Sequence, residues 1–234
     1  MKAIFLLLLL PFSYTFAQTK KEAKAKTTTS KTEVMNSIDS LSYSIGVEVA
    51  EYYKQTQNVE KINADYVKKA VNDVYSNKPL TISEEEANMY VQKKLQEFMA
   101  NKIKAVKDSG NQFLEENKKR PGVVVLPDGM QYEIITKGTG PIPTANDTVK
   151  ANYIGTLIDG KEFDNSYKRG EPLTIPVSGV IRGWTEALQL MPVGSKWKLY
   201  IPSDLAYGDR GAGGVIPGGA TLVFTIELLD IVNK

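Results

Sequence analysis

From Ile38 onward the apolar positions Leu41, Ile45, Val49 and Tyr52 recur at helical spacing. Val67, Ala70, Val71 and Val74 repeat the pattern behind an N-cap at Asn63. These patterns predict two short amphipathic helices. A third begins at Ser83, where Ser83-Glu84-Glu85-Glu86 spells a capping box. In that motif the Ser side chain accepts from the amide three residues on, and Glu86 reaches back to the cap. The acidic first turn also complements the helix dipole. No stop precedes Pro121, so this helix is expected to run about 36 residues and roughly 50 Å. Val91, Leu95, Met99, Ile103, Val106 and Phe113 form one narrow apolar stripe along it, with Gly110 as a weak point. A helix inside a compact domain carries a broader buried face. The stripe therefore reads as an arm, partly packed at its start and bathed in solvent further on.

Beyond Arg120-Pro121-Gly122 the period changes from helical to alternating. Val149, Ala151, Tyr153 and Leu157 fall on one face of a strand, Trp197, Leu199 and Ile201 on another, and Leu222, Phe224, Ile226 and Leu228 on the last. Asp128-Gly129 and Asp159-Gly160 mark turns at hairpin distance. One short helical segment, Trp184 to Leu190, interrupts the strands. The expected fold class is α+β: a C-terminal antiparallel sheet curled over a short helix, preceded by an all-α module and a long connecting helix. The two short helices carry too little apolar surface for a core of their own. A homodimer through residues 33–100 is the expected remedy, and folding back on the long helix in a monomer is the alternative.

Upstream, Lys2 supplies a positive n-region, Ile4 to Leu10 an apolar stretch, and Ala17 a small residue before Gln18, the layout of a cleavable secretory signal. Pro11 and Ser13 break the run short of the roughly 18 residues a membrane span needs. Lipid anchoring would require a Cys at the cleavage point. The stretch after Thr19 is Lys, Thr, Ala and Ser without a large apolar side chain, and cannot bury enough surface to offset its ordering entropy. The expected organisation is a signal peptide at 1–17, a tether at 18–32, a helical dimerisation module at 33–82, a connecting helix at 83–120 and a C-terminal domain at 121–234. The protein is expected to be exported to the periplasm, free or associated with the outer membrane, with no membrane span.

Composition narrows the chemistry. Among 234 residues there is no Cys and no His, which removes Cys-His and Ser-His triads, imidazole bases, His or Cys zinc sites and disulfides. A net charge of +2, from 29 basic and 27 acidic residues, gives no footprint for a polyanion, so nucleic acid is not an expected partner. Gly211-Ala212-Gly213-Gly214 lacks the following Lys-Ser/Thr of a phosphate cradle and reads as a mobile loop. Asp159, Glu162 and Asp164 lie in a tight turn and at an aromatic strand end, not as the paired carboxylates of a glycosidase.

Five ordered blocks remain: Tyr153-Ile-Gly-Thr-Leu157, Asp159-Gly-Lys-Glu-Phe-Asp-Asn-Ser166, Val180-Ile-Arg-Gly-Trp184, Leu205-Ala-Tyr-Gly208 and Ala220-Thr-Leu-Val-Phe224. On them, the segment from Thr148 to Val232 resembles the FKBP-type peptidyl-prolyl isomerases. Leu41-Ser-Tyr-Ser-Ile-Gly46 and Asn117-Lys-Lys-Arg-Pro-Gly-Val-Val124 resemble the N-terminal module of the macrophage-infectivity-potentiator (Mip) and FkpA branch. The resemblance implies an exported dimer that accelerates X-Pro rotation in unfolded or partly folded polypeptides, helps them fold, and takes macrolides as inhibitors. It implies no cofactor and no metal.

The resemblance also implies a pocket walled by Tyr153, Phe163, Asp164, Val180, Ile181, Tyr207, Ile216 and Phe224 over a Trp184 floor, with Leu173 and Val215 among the substrate-binding positions. Leu173 stands where the family often carries an aromatic residue, Ala212 and Val215 depart from its usual loop residues, and the loop from Glu171 to Val180 is shorter. Ile181 N–H and the Tyr207 hydroxyl are the expected donors to substrate carbonyls. Asp164 either polarises the twisting carbonyl or orders Tyr153 and a nearby Arg, and the second is favoured because the reaction gives a general base nothing to deprotonate. A non-catalytic binding module on the same fold is the rival reading, and a surface adhesion protein a third, though the sequence carries no attachment signal.

Overall fold

A computed structural model describes residues 36–57 and 59–232. The expected signal peptide and tether, and the first residues of the helical module, lie outside the described residues. The described residues divide into two units, one ending at Glu48 and the other beginning at Val49.

Asn36 accepts through its side chain from the N–H groups of Ile38 and Asp39 and so starts helix α1 (Ser37–Glu51), whose residues up to Glu48 belong to the first unit. Leu41 and Ile45 on this helix are exposed. The helix runs on into a π turn at Tyr52–Thr56. In the second unit, the Asn63 side chain accepts from Asp65 N and Tyr66 N at the head of α2 (Ala64–Tyr75), as its position predicts. Val67, Val71 and Val74 of α2 are also exposed.

Helix α3 (Glu84–Asn117) runs unbroken for 34 residues behind the complete Ser83–Glu86 capping box. Its packing reverses the expected order. Met89, Tyr90, Phe98 and Met99 in the first half are exposed, whereas Gly110, Leu114 and Asn117 in the second half are buried. The reason is a second covered face on the sheet, which alternation on the inner face does not announce. Gly110 is correspondingly a contact point and not a weak one: a Cβ there would collide with the Thr221 side chain.

The remainder forms one antiparallel sheet of seven strands: β1 (Val123–Val125), β2 (Gln131–Thr136), β3 (Thr148–Leu157), β4 (Glu162–Asn165), β5 (Leu173–Pro176), β6 (Lys196–Ile201) and β7 (Leu222–Ile231). The order is β1-β2-β6-β7-β3-β4, with β5 paired to β3. Both Asp-Gly turns form where the sequence placed them, and Gly129 and Gly160 take the positive φ values, +89° and +86°, that a side chain resists.

Two helices cover the sheet. On the inner face, α5 (Arg182–Leu188) buries Trp184, Ala187 and Leu188 in one core with Leu199, Ile201, Leu222, Ile226 and Leu228. Gly183 permits that approach, since a Cβ there would lie 2.6 Å from the Ile201 side chain. On the outer face, Leu114 of α3 joins Tyr200 and Val223 in a separate cluster, with Phe113 packed against it. Polar contacts lock this side: Asn117 donates to the Gln131 side chain at 2.9 Å, and Gln131 donates to the Leu114 carbonyl at 2.9 Å. Arg120 donates to the Tyr200 hydroxyl at 2.8 Å. The end of the connecting helix is thus bonded into the sheet as one packed body.

Candidate active site

Between α5 and the β3–β4 corner lies a concavity of about 390 Å³. Tyr153, Phe163, Asp164, Leu173, Val180, Ile181, Trp184, Tyr207 and Phe224 line it, nine of the positions expected from sequence. Four of these side chains make an aromatic box. Trp184 is met edge-on by Tyr153, with ring centroids 5.0 Å apart, and by Phe224, at 5.2 Å. Phe163 meets Phe224 edge-on at 5.5 Å. Such edge-to-face contacts fix ring orientation beyond what area burial alone achieves.

The backbone explains how the rings converge. Tyr153 and Gly155 point to the same side of β3, and Gly155 stands opposite both Phe224 of β7 and Asp164 of β4. A Cβ on Gly155 would lie 2.6 Å from the Phe163 ring and 2.8 Å from the Phe224 ring. The glycine therefore leaves the space in which the two aromatic side chains meet. Trp184 arrives from the first turn of α5 and is only 3% exposed, a plate at the bottom of the concavity.

Asp164 carries the charge at the rim. Its carboxylate accepts from the Tyr153 hydroxyl, from Arg169 and, at 2.8 Å, from Asn165 N–H. Arg169 in turn donates to the Tyr153 hydroxyl at 2.9 Å and lies over its ring. Arg169 is held at the end of α4 (Ser166–Arg169), which Asn165 caps by accepting from Tyr167 and Lys168 N–H. Burial, reinforced by the hydrogen bond to Asp164, pushes the Tyr153 hydroxyl above its ordinary value. Burial likewise raises Tyr207, and the Asp164 charge adds to it, so this phenol keeps its proton throughout the neutral range. Tyr207 is 40% exposed and lines the concavity.

Two expected positions fall outside this lining. Ile216 is buried in the main core and bonded back to Ala212 through its amide and its carbonyl, and Val215 is exposed on the same loop. Conversely, Ile175 and Gly179 line the concavity although no sequence motif marks them. Ile175 alternates with Leu173 on β5, a four-residue strand too short to stand out by period. Among the described residues no cluster of three or more His, Cys, Asp or Glu is placed to hold a metal ion.

Comparison with known proteins bears on the whole chain. Residues 140–229 match the model of the FKBP-type peptidyl-prolyl cis-trans isomerases, and residues 38–134 match that of the domain amino-terminal to such isomerases. The outer membrane protein MIP of Legionella longbeachae is 44% identical over 88% of this chain and 91% of its own. The isomerase FkpA of Aeromonas hydrophila is 40% identical over 92% of this chain and 84% of its own. The crystal structure of FkpA from Escherichia coli superposes with a TM-score of 0.67 at 37% identity, covering 84% of this chain and 97% of that one. With the helical module, the antiparallel sheet and the aromatic concavity all in place, the chain belongs to the FKBP-type peptidyl-prolyl cis-trans isomerases, in the branch that includes Mip and FkpA.

Proposed function

We propose that this isomerase turns X-Pro bonds of exported polypeptides in the Trp184 concavity, by desolvation and hydrogen bonding alone. The observation that carries the reading is the aromatic box itself, the Trp184 plate with three further rings about it in a concavity that Tyr207 also lines. An X-Pro bond rotates slowly, in tens to hundreds of seconds, because twisting it costs amide resonance. No covalent bond has to break, which suits a chain without His or Cys. The planar amide is more charge-separated than the twisted one. An apolar site that removes its water therefore favours the twisted form comparatively.

In this reading the proline ring sits on Trp184 against Phe163 and Phe224. Ile181 N–H and the protonated Tyr207 hydroxyl donate to carbonyls on either side of the bond and hold the chain across the site. Asp164 acts through Tyr153 and Arg169, which it holds in place, and takes no proton. Leu173 and Ile175 complete the apolar rim on which side chains next to proline would rest, and the same pocket would admit macrolides.

The helical module adds a second role. Val67, Val71, Val74, Met89 and Tyr90 present apolar side chains to solvent, and Leu41 and Ile45 of the first unit do so as well. Burying them against a second copy would give the module the core it lacks, so the protein is read as a homodimer that also holds unfolded clients. The signal peptide expected at 1–17 and the likeness to an outer membrane protein of Legionella longbeachae support a site of action outside the cytoplasm, in the periplasm or at the outer membrane. The deciding test is NMR exchange of a short X-Pro peptide. Catalysed exchange by the wild type that is lost with Trp184→Ala supports the reading, and undiminished catalysis by the variant refutes it.

A further inference from the structure

Tyr207 sits between two single 3₁₀ turns, Ser203–Leu205 and Gly208–Arg210, in the loop that joins β6 to β7. Both turns are tied to the connecting helix α3. Lys107 of that helix places its ammonium 2.7 Å from an Asp209 carboxylate oxygen and 3.3 Å from one of Asp204. One cation thus bridges the turn before Tyr207 and the turn after it. The carboxylate bonds raise the Lys107 pKa above its ordinary value, so the bridge persists at neutral pH.

The same helix supports the far end of the loop by close packing. Gly219 N–H donates to the Gly208 carbonyl at 2.9 Å and closes the loop on itself. A Cβ on Gly219 would lie 2.8 Å from the Ile103 carbonyl and 2.8 Å from the Lys107 stem, so only a glycine lets this backbone rest on α3. A Cβ on Gly218 would collide with the Asp209 carbonyl, so this glycine lets the end of the loop close on the second turn. Val106, between Ile103 and Lys107 on the helix, packs on the main core.

We infer that Lys107 is a positioning residue for the isomerase site: it clamps the two turns that flank Tyr207 and so sets the place of the Tyr207 hydroxyl. The clamp rests on the reading of Tyr207 as a donor to substrate, and it makes the arm part of the catalytic apparatus. Lys107 touches no substrate. Its effect passes through the loop.

The test uses the full-length chain with Lys107→Met, which keeps the aliphatic stem against Gly219, with Lys107→Arg as the conservative variant, and with Tyr207→Phe alone and combined with Lys107→Met. Hydrogen exchange at the turn-closing amides of Leu205, Ala206 and Gly219 reports the clamp independently of catalysis. In Lys107→Met those amides should exchange about threefold to fivefold faster and kcat/KM should fall by a similar factor, the scale of partly exposed ion pairs. Lys107→Arg should restore both. On the Tyr207→Phe background, Lys107→Met should cost nothing further, because coupled positions are not additive. Unchanged exchange in Lys107→Met overturns the clamp, as do losses that multiply fully in the double variant. If Tyr207→Phe alone leaves kcat/KM intact, the donor role of Tyr207 fails, and the clamp is then decided by the exchange measurement.

Discussion

The Tyr153 hydroxyl donates to the Asp164 carboxylate across two neighbouring strands, and Arg169 bonds to both. The triangle occupies each of its polar groups with the others. Replacing Asp164 by Ala frees the Tyr153 hydroxyl and leaves Arg169 without its carboxylate. Because the triangle lies at a solvent-reached rim, the loss in kcat/KM is expected to be modest, about fivefold to tenfold, matching hydrogen bonds to a charged group that water partly replaces. Peptide isomerisation measured by NMR exchange checks it. A loss of several thousandfold would mean that Asp164 acts directly on the amide.

Gly155 predicts a steric effect with two readouts. In Gly155→Ala the new methyl group meets Phe163 at 2.6 Å and Phe224 at 2.8 Å, two rings already in edge-to-face contact with each other. Overpacking of this kind costs about 1–3 kcal/mol. The variant should therefore melt at a lower temperature and lose activity together, since the displaced rings are pocket walls. A calorimetric scan with a parallel activity assay decides it.

How much of this was readable in advance follows from which side of the sheet a residue faces. Val149, Ala151, Tyr153, Leu199, Phe224 and Ile226 share one phase of their strands, and they build the inner core that the pattern announced. Tyr200 and Val223 occupy the opposite phase and are buried all the same, because α3 lies over them. A single sequence shows no cause for that, so the second half of α3 read as solvent-bathed arm. The short strands β1, β4 and β5 hold three or four residues each, too few for a period. The pocket's lining is legible through the ordered motifs; Ile175 lies on a strand too short for the pattern to show, and Ile216, expected in the wall, is buried in the core beside the lining.

The same packing sets where the catalytic unit can be cut. A chain starting at Pro121 loses Phe113, Leu114 and Asn117, and so uncovers Tyr200 and Val223 and unpairs the buried Gln131 side chain. It is expected to unfold at a markedly lower denaturant concentration than the full chain. A chain starting near Ala100 keeps those contacts and the Lys107 bridge, and should retain nearly full kcat/KM on a short peptide. Equal stability of the two truncations would contradict this account of α3.

Glu186 on α5 carries a pH dependence. A hydrogen bond with Asp128, burial and the Asp128 charge raise its pKa from 4.5 to about 7. The folded chain holds this proton more tightly than the unfolded chain. Folding thus takes up a proton between the two values, and stability falls as pH rises from about 4.5 to about 7. Below that window both states are protonated and the penalty is absent; above it both are ionised and the penalty is complete. Glu186→Gln, which cannot ionise, should flatten the melting temperature across the window relative to wild type. A wild-type curve that rises steadily there and is unaltered by the substitution would exclude the pair as its source.

Trp184 separates shape from burial as the source of catalysis. Trp184→Ala removes the plate that Tyr153 and Phe224 meet edge-on, and truncating a buried aromatic of this size costs about 3–5 kcal/mol, so lost activity in that variant has to be distinguished from lost folding. Trp184→Phe keeps a ring in the same apolar place with less area. If a proline ring rests on the plate, Trp184→Phe should retain the fold and a measurable fraction of kcat/KM, with the loss appearing mainly in KM, because a smaller plate weakens binding of substrate and transition state alike. Trp184→Ala should lose nearly all activity even at a temperature where NMR shows it folded. The two-dimensional amide spectrum supplies the folding control, and full activity in a folded Trp184→Ala would remove the desolvating plate from the mechanism and leave the hydrogen bonds from Ile181 and Tyr207 to account for the rate.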